Sequence, residues 1–383
     1  MVMKNVLVLT KYYHPVRNGL SDHTLFMVNL LRNRSYSVSV VCERSGGELA
    51  NAGERSDMEA VHTYSGYVEL LRAVKHVYKQ QRPDVVLFQY VPHMWGRAGV
   101  APFASLLPLW IMIRYRIPVI VYLHELFIDW RATPKPFLLA LCQRLQLLMI
   151  GLSSRSLIIT NHKRERLLKR GLWKKKVHRI PAGNVSGRKD DTLRKPYYAY
   201  PYMTWFGTLT DYQRLEMLVR TFAMLASKNS EVRLVLLGGF DTQSLRIQGL
   251  RELAASYGID DRVIIRGFVD DDELSDTLYG SIANIYVETS GPSGRRGVIA
   301  AYLRSGRPVI AIDGAETDSE FQNDENVLLV PNQDEAAMLE AMRRVIRDNG
   351  LRERLELGVR KLYEETYSDE AILHKLVQVM DGV

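Results

Sequence analysis

Short apolar runs alternate with stretches of helical periodicity along the first half of the chain. The apolar runs cover residues 6–10, 37–41, 84–88, 118–122 and 156–160. Between them, apolar residues recur at helical spacing over 22–33, 68–81, 103–115 and 136–152. Strands that alternate with helices of this length predict βαβ units and a parallel sheet.

A second series of the same kind follows a polar stretch at 184–201, which is typical of a linker. Its predicted strands cover 203–206, 232–237, 263–266, 284–287, 309–312 and 327–330. Its predicted helices cover 215–226, 243–257, 272–279, 297–305 and 334–348, and 351–380 is helical throughout. We therefore expect an α/β protein of two Rossmann-like, doubly wound domains that face a central cleft. The predicted domains are 1–190 and 191–365, with a C-terminal helix at 366–383 that could return to the first domain.

Composition narrows the class of protein. The 383 residues include 46% hydrophobic residues, enough for two cores. Only Cys42 and Cys142 carry thiols, which excludes a disulfide framework and predicts a cytoplasmic location. The first residues predict a buried strand rather than a signal peptide, and no run of about 20 uncharged apolar residues predicts a spanning helix.

Charge is distributed unevenly along the chain. Residues 1–190 hold 29 Lys or Arg against 12 Asp or Glu, and the remainder holds 22 against 31. The basic run 162–176 contains Leu167, Leu168, Leu172 and Trp173. Together with Trp110 and the apolar helix near 137–150, this run could lie on an anionic membrane surface. A solvated face is the alternative, and because no nucleic-acid module accompanies the run, we expect no nucleic-acid partner.

The loop Ser290-Gly-Pro-Ser-Gly-Arg-Arg-Gly297 joins a predicted strand to a predicted helix. Backbone N–H groups at a helix N-terminus bind anions, and guanidinium groups bind phosphate oxygens in pairs. This loop therefore predicts a diphosphate site that contains Ser293, Gly294, Arg295, Arg296 and Gly297.

Three other loops are candidates for the cleft. Asn18-Gly19 follows the first strand, and its sequence is not the G-x-G-x-x-G dinucleotide pattern. His124-Glu125 follows the strand at 118–122, where the histidine could bind sugar hydroxyls or shuttle protons, or simply be solvated. The loop 207–214 follows the first strand of the second domain. We expect no metal site and no Walker-type nucleotide loop.

Taken together, these motifs resemble a GT-B glycosyltransferase of the family 4 type (group 1) over nearly the full chain. The matching segments come in the family's order: Lys11–Pro15 with Asn18, Gly19 and His23, then His124-Glu125, Trp205–Thr210, Leu236–Gly239, Gly267–Leu274, Gly306–Ile310 and Glu325–Pro331. The resemblance implies transfer of a sugar from a UDP- or GDP-sugar, without a metal and with retention at the anomeric carbon.

The resemblance also assigns roles to single residues. Gly19 matches the glycine loop near the diphosphate and acceptor, and His124 matches the histidine that contacts the donor sugar. Gly207 matches the glycine that opens the donor loop, and the backbone of Phe268 and Val269 matches the segment that binds the base. Further expected donor contacts come from Thr208, Arg214, Gly239 and Glu288.

The chain departs from the family at its charged positions. The usual Glu-x7-Glu pair falls on Ser293 and Ala301, and the usual Arg and Lys after the donor-loop glycine fall on Thr208 and Gln213. We hypothesise that Arg295 and Arg296 supply the phosphate-binding charge instead and stabilise the departing diphosphate. Glu288 and Glu316 are the candidates for the lost carboxylate contacts.

The expected activity is transfer of a hexose, glucose or a relative, from UDP to a glycan or lipid-linked acceptor in polysaccharide biosynthesis. The enzyme would lie in the cytoplasm or at the inner membrane face. The alternatives are a non-catalytic nucleotide-sugar-binding protein and a GT-B sugar-nucleotide epimerase or phosphorylase.

Overall fold

A computed structural model describes residues 4–16, 18–44, 61–128, 133–171, 173–174, 176–183, 195–228 and 231–383. The chain forms two compact units. The N-terminal unit comprises Met1–Ile180 with Ile372–Val383, and the C-terminal unit comprises Pro181–Ala371. The expected boundary at residues 190 and 191, and the first part of the expected linker, lie outside the described residues.

The N-terminal unit is built on a parallel sheet of seven described strands. They are β1 (Asn5–Leu9), β2 (Ser37–Glu43), β3 (Val61–Tyr64), β4 (Val85–Tyr90), β5 (Val119–Leu123), β6 (Ser156–Ile159) and β7 (Val177–Arg179). Their order is β3-β2-β1-β4-β5-β6-β7, so the strands with continuous apolar runs occupy the centre. The two edge strands, β3 and β7, were not predicted because they are short, partly polar and only partly buried.

Helices cover both faces of this sheet. They are α1 (Gly19–Asn33), α2 (Gly66–Gln81), α3 (Pro92–Trp95), α4 (Pro102–Tyr115), α5 (Pro134–Ser153) and α6 (His162–Lys169). The apolar side chains of α2, α4 and α5 share one core with the sheet, and those of α1 share another with residues 372–380.

The basic run at 162–176 begins with α6, which was not predicted as a helix. Asn161 caps it by accepting a hydrogen bond from the Arg164 N–H at 3.1 Å. Leu168 is buried, and Trp173 packs so closely on Gly151 that a Cβ there would lie 2.4 Å from the indole ring. Leu168 is therefore a core residue and Trp173 packs on the core, whereas Leu167 is exposed; Leu172 lies outside the described residues.

The C-terminal unit is built on a second parallel sheet, of six described strands. They are β8 (Tyr202–Phe206), β9 (Arg233–Leu237), β10 (Val263–Gly267), β11 (Asn284–Tyr286), β12 (Val309–Ile312) and β13 (Leu328–Val330), in the order β10-β9-β8-β11-β12-β13. Its helices are α7 (Leu215–Ala226), α8 (Leu245–Ser256), α9 (Asp271–Gly280), α10 (Gly297–Ser305), α11 (Glu335–Arg347) and α12 (Asn349–Leu362). Both units have the predicted doubly wound α/β architecture.

The prediction of one continuous helix over 351–380 is wrong. After α12 the chain forms a π-helical turn, Tyr363–Tyr367, and Ser368 then adopts an extended conformation. The Ser368 hydroxyl accepts a hydrogen bond from the Ala371 N–H at 3.1 Å and begins α13 (Asp369–Asp381). This break precedes the point at which the chain returns to the N-terminal unit, where Asp381 pairs with Lys4 at 2.6 Å.

Candidate active site

The predicted phosphate loop follows β11 at the carboxyl edge of the C-terminal sheet and leads into α10. The loop that follows β12 holds it in place, since the Glu316 N–H donates to the Ser290 carbonyl at 2.7 Å. Gly291 has a φ of +89°, and a Cβ there would lie 2.1 Å from Thr317 Oγ1. Only glycine fits this position, so the backbone of the loop is fixed by its packing.

Both arginines of this loop are paired with carboxylates. Arg296 forms an ion pair with Glu288, whose side chain is only 6% exposed. Arg295 Nη1 lies 3.4 Å from Glu316 Oε2. Each of the two guanidinium charges that we expect to bind phosphate therefore has a counter-ion close by.

Glu288 is the centre of a buried polar network rather than a free carboxylate. Besides Arg296, it accepts hydrogen bonds from Tyr286 Oη at 3.0 Å, Ser290 Oγ at 2.7 Å and Gln213 Nε2 at 3.4 Å. Burial disfavours the charge of Arg296, but Glu288 outweighs that effect and raises the pKa of the guanidinium. The network thereby stabilises the charged form of Arg296.

The N-terminus of α10 is a place where an anion could bind. Arg296 is its N-cap residue, and among the described residues no side chain caps the helix. The Ile299 N–H already donates to the Arg296 carbonyl at 3.1 Å, so the N–H groups of Gly297 and Val298 are the ones without an acceptor within the helix. Gly294 is different, because its N–H already donates to Asp318 Oδ2 at 2.8 Å. Gly294 therefore shapes the loop and has no N–H to offer a phosphate.

The two positions that the resemblance assigns to glutamates are both buried. Ser293 is 1% exposed and Ala301, in the second turn of α10, is 4% exposed. Ala301 packs into the apolar core beside the sheet. Neither side chain can replace a carboxylate that contacts a sugar or a ribose.

The donor loop after β8 is tied to the same network. The Arg214 N–H donates to the Val287 carbonyl at 2.9 Å, and the backbones of Gln213 and Glu288 form an isolated antiparallel β-bridge. Arg214 also lines a pocket with Glu216, Arg220 and Glu335.

Glycines at the ends of β8 and β9 allow the two strands to come close. Gly238 has a φ of +144°, and a Cβ there would lie 1.8 Å from the Gly207 carbonyl oxygen. The next residue, Gly239, is exposed, and the nearest atom to its Cβ position would be Thr208 Cγ2 at 3.9 Å. Glycine is required by packing at 238, a Cβ at 207 would lie 3.1 Å from the Trp205 ring, and Gly239 and Thr208 line open space.

Phe268 stands at the end of β10, on the same edge of the sheet, and is 70% exposed. Val269 beside it is partly buried and packs on the core of the C-terminal unit. A large aromatic side chain at the ligand edge of a doubly wound sheet is suited to contact a planar base.

In the N-terminal unit, His124 follows β5 and is held in a fixed orientation. Its Nε2 lies 2.6 Å from Gln89 Oε1, and its carbonyl accepts a hydrogen bond from Arg164. The ring stacks on Tyr122 at 4.9 Å. Burial, with contributions from His23 and Arg164, lowers the pKa of His124 well below its usual range. The imidazole is therefore neutral at pH 7, which favours a hydrogen-bonding role over proton shuttling.

His23, on α1, packs edge-on against His124 at 4.7 Å and against Tyr122 at 4.6 Å. It is 3% exposed, and neither ring nitrogen has a hydrogen-bond partner among the described residues. Burial lowers the pKa of His23 to about 3. The contact of His23 with His124 joins residues far apart in the sequence, so motif spacing could not predict it.

Gly19, the first residue of α1, is exposed and would accept a Cβ with no atom within 4 Å. Asn18 caps the helix, since its Oδ1 accepts the N–H groups of Leu20 and Ser21, both at 3.0 Å. Two of the N–H groups expected to face an anion are therefore already used. What Gly19 offers is open space beside the helix end.

A cavity lies within the N-terminal unit at the segment that follows β5. Pro92, His93, Glu125, Phe127, Gln143 and Arg164 are among the residues that line it. Polar and charged groups thus surround this space. The arrangement suits a ligand with hydroxyl groups.

Comparison with known proteins identifies the family. A family model described as glycosyl transferases group 1 matches residues 200–348, and one described as glycosyltransferase family 4 matches residues 17–183. The D-inositol 3-phosphate glycosyltransferase of Xylanimonas cellulosilytica is 31% identical over 142 residues, which are 37% of this chain and 33% of that enzyme. The chain thus matches about a third of the length of this relative.

Solved structures show the same fold. Sucrose-phosphate synthase from Thermosynechococcus elongatus is 17% identical with a TM-score of 0.71, over 99% of this chain and 98% of that chain. HepE of Anabaena in complex with UDP is 13% identical with a TM-score of 0.74, over 100% of both chains. The pneumococcal O-GlcNAc transferase GtfA, in complex with UDP and GlcNAc, is 11% identical with a TM-score of 0.71, over 100% of this chain and 99% of that chain.

At these identities the structural likeness establishes the fold, and the two family models, which cover both halves, establish the family. Together with the motifs in their expected order, they confirm the resemblance. The chain belongs to the group 1, family 4 type glycosyltransferases of the GT-B fold.

Proposed function

We propose that this protein transfers a hexose from a UDP-sugar to a hydroxyl group of a glycan or lipid-linked acceptor. The observation that carries this proposal is the α10 loop, where an uncapped helix N-terminus meets two guanidinium groups at the carboxyl edge of the C-terminal sheet. That combination suits a diphosphate that gains charge as it leaves.

Diphosphate binding requires Arg296 to exchange its partner. If Arg296 turns from Glu288 to a phosphate, the carboxylate keeps the hydroxyl groups of Tyr286 and Ser290 and the amide of Gln213 as donors. Glu288 is then not left as an unsatisfied buried charge, which would be costly. The Nε of Arg296 is buried without a partner among the described residues, so the guanidinium has a further donor to offer.

The other parts of the donor are assigned to residues at the carboxyl edge of the C-terminal sheet. We assign the base to Phe268 and Val269, and the donor sugar to the open space beside Thr208 and Gly239. In the N-terminal unit, a neutral His124 offers Nδ1 to a sugar hydroxyl while Nε2 donates to Gln89. We further propose that the reaction needs no metal, retains the anomeric configuration and takes place in the cytoplasm or at the inner membrane face.

Release of UDP from a panel of UDP- and GDP-sugars, in EDTA and with and without acceptors, tests this function. Turnover of a UDP-hexose in EDTA, lost in the Arg295→Ala/Arg296→Ala variant, is the expected result. Proton NMR of the product then gives the anomeric configuration. Unchanged UDP affinity in the double variant would show that the α10 loop is not the diphosphate site.

A second candidate function is binding of a nucleotide sugar without catalysis. It is favoured by one observation, the burial of Ser293 and Ala301 at the positions of the family's glutamates. Tight binding of UDP-sugars without turnover, across the donor panel and with glycan and lipid-linked acceptors, would support this alternative.

A further inference from the structure

Helix α5 buries two glutamines and leaves five of its leucines on its outer face. Its buried face contains Gln143, Gln146 and Ser153 beside Ala140, Leu147, Ile150 and Gly151. Its outer face carries large apolar side chains at helical spacing: Leu138 (59% exposed), Leu141 (38%), Leu145 (51%), Leu148 (36%) and Leu152 (63%). A helix on the surface of a water-soluble protein normally has the opposite polarity.

Specific hydrogen bonds fix this orientation. Gln146 Nε2 donates to the Gly99 carbonyl at 2.9 Å, and Gln143 Oε1 accepts the Ile128 N–H at 2.8 Å. Both glutamines thereby satisfy backbone groups of neighbouring loops. Rotating the helix to hide its leucines would break these bonds, so the outward apolar stripe is a property of the folded unit.

Helix α4, which packs against α5, extends the same surface. Phe103 is 67% exposed, Leu106 is 42% exposed and Ile113 is 71% exposed, again at helical spacing. We call the outward side chains of these two helices the α4–α5 face. Contiguous exposed apolar surface of this kind marks an interaction site.

The charge around the α4–α5 face selects the partner. Neither α4 nor α5 contains an acidic residue, and residues 85–164 hold nine Lys or Arg against two acidic residues, Glu125 and Asp129. Exposed cations flank the helices at Arg114, Arg116 and Lys135. An apolar stripe bordered by cations complements a bilayer that has anionic headgroups.

By length and composition, α5 could also cross a membrane, contrary to the expectation that no segment of the chain could. Its buried glutamines and its packing on α4 argue instead that it lies flat. A spanning helix would expose both amides to hydrocarbon, where unsatisfied polar groups are costly.

We propose that the α4–α5 face docks on the surface of an anionic bilayer, with the outward leucines inserted at the headgroup boundary. Both helices begin at the carboxyl edge of the sheet, and α5 contributes Gln143 to the cavity that Glu125 and Arg164 also line. A lipid anchor held in the bilayer would therefore present its headgroup at that cavity. Only this last step rests on the proposed function; docking itself does not.

Co-sedimentation of the full chain with vesicles tests the docking. The variant Leu138→Gln/Leu145→Gln/Leu152→Gln changes the face, and Leu245→Gln/Leu357→Gln is the matched control, since these two leucines are 85% and 70% exposed on the C-terminal unit. We expect wild type and control to bind vesicles of phosphatidylglycerol and phosphatidylcholine about tenfold more than the triple variant. Binding should weaken in vesicles of phosphatidylcholine alone and in high salt.

Equal binding of the triple variant and wild type, or no binding by wild type, would overturn the proposal. A wild-type dimer that becomes monomeric in the triple variant, with no vesicle binding by either, would assign the face to a second copy of the chain. Circular dichroism and Tm check that the triple variant folds. UDP release in vesicle-free buffer should be the same for wild type and triple variant, so failure of docking and failure of the transferase function are separate results.

Discussion

Exchange of Arg296 between Glu288 and a diphosphate predicts that two substitutions will change UDP affinity in opposite directions. Arg296→Gln removes the cation and should weaken UDP binding. Glu288→Gln removes the competing anion and should strengthen it, although both changes break the same ion pair. If the pair had only a structural role, both variants would be less stable and neither would bind UDP differently.

The magnitudes follow from the geometry of the pair. Removing one partner of a fully buried ion pair costs about 3–5 kcal/mol. Here the Arg296 side chain is 35% exposed and Glu288 keeps three other donors, so about 1–3 kcal/mol of unfolding free energy is the expected loss for each variant. A lost charge-assisted hydrogen bond to phosphate makes UDP binding by Arg296→Gln about 10- to 100-fold weaker. Removing the Glu288 carboxylate, which competes with UDP for Arg296, makes UDP binding by Glu288→Gln about fivefold tighter.

Isothermal titration with UDP, without a metal ion, measures the affinity, and urea unfolding measures stability. The matched control is Arg307→Gln/Glu356→Gln. That pair lies 3.1 Å apart with side chains 28% and 18% exposed, and Arg307 precedes β12 at the amino end of the sheet. The control should lose stability and bind UDP within about twofold of wild type.

Two results would refute the exchange of partners. One is a UDP affinity within about twofold of wild type for both single variants. The other is weaker binding by Glu288→Gln of the same size as that caused by Arg296→Gln. Either result would mean that Arg296 stays with Glu288 when UDP binds.

Three further outcomes follow from single side chains. His23 has a pKa of about 3 in the folded chain and an ordinary value when unfolded, so wild type loses about 2 kcal/mol of unfolding free energy between pH 7 and pH 5 through this residue. In urea unfolding, the loss of unfolding free energy between pH 7 and pH 5 should be about 2 kcal/mol smaller for His23→Phe than for wild type. An equal loss in both proteins would contradict this. Gly238→Ala should lower the unfolding free energy by about 3 kcal/mol or more, whereas Gly239→Ala should lower it by less than about 0.5 kcal/mol. Equal Tm values for the two variants would be inconsistent with the close approach of residue 238 to the Gly207 carbonyl. Phe268→Ala should leave Tm unchanged, because the ring is 70% exposed, and should weaken UDP binding about tenfold; unchanged affinity would remove Phe268 from the site.

Hydrophobic periodicity predicted the central strands and most helices because each buries a continuous apolar run or stripe. It missed β3 and β7, since edge strands bury little and can be short and polar. It also joined α12 to α13, because apolar spacing continues through the π-helical turn. Ser368, followed by two acidic residues, is an N-cap signal that would have located this break.

The candidate site was predicted only as far as local sequence determines it. A glycine-rich loop between a strand and a helix predicted the position of Arg295 and Arg296. Their partners could not be predicted, since Glu316 reaches Arg295 from the loop after the next strand. The polarity of α5 was hidden for the same reason, because a glutamine becomes an inward residue only when a neighbouring backbone group needs it.

The ion pairs also change how the family's missing charges are understood. Relatives of this type place cations on the donor loop, where this chain has Thr208 and Gln213. Here the Gln213 amide donates to Glu288, the same carboxylate that Arg296 neutralises. A lysine at 213 would compete with Arg296 for this buried carboxylate, and one of the two cations would then lack a partner. The neutral residue on the donor loop and the arginine on the α10 loop are therefore parts of one arrangement, in which a single cation neutralises a single buried glutamate.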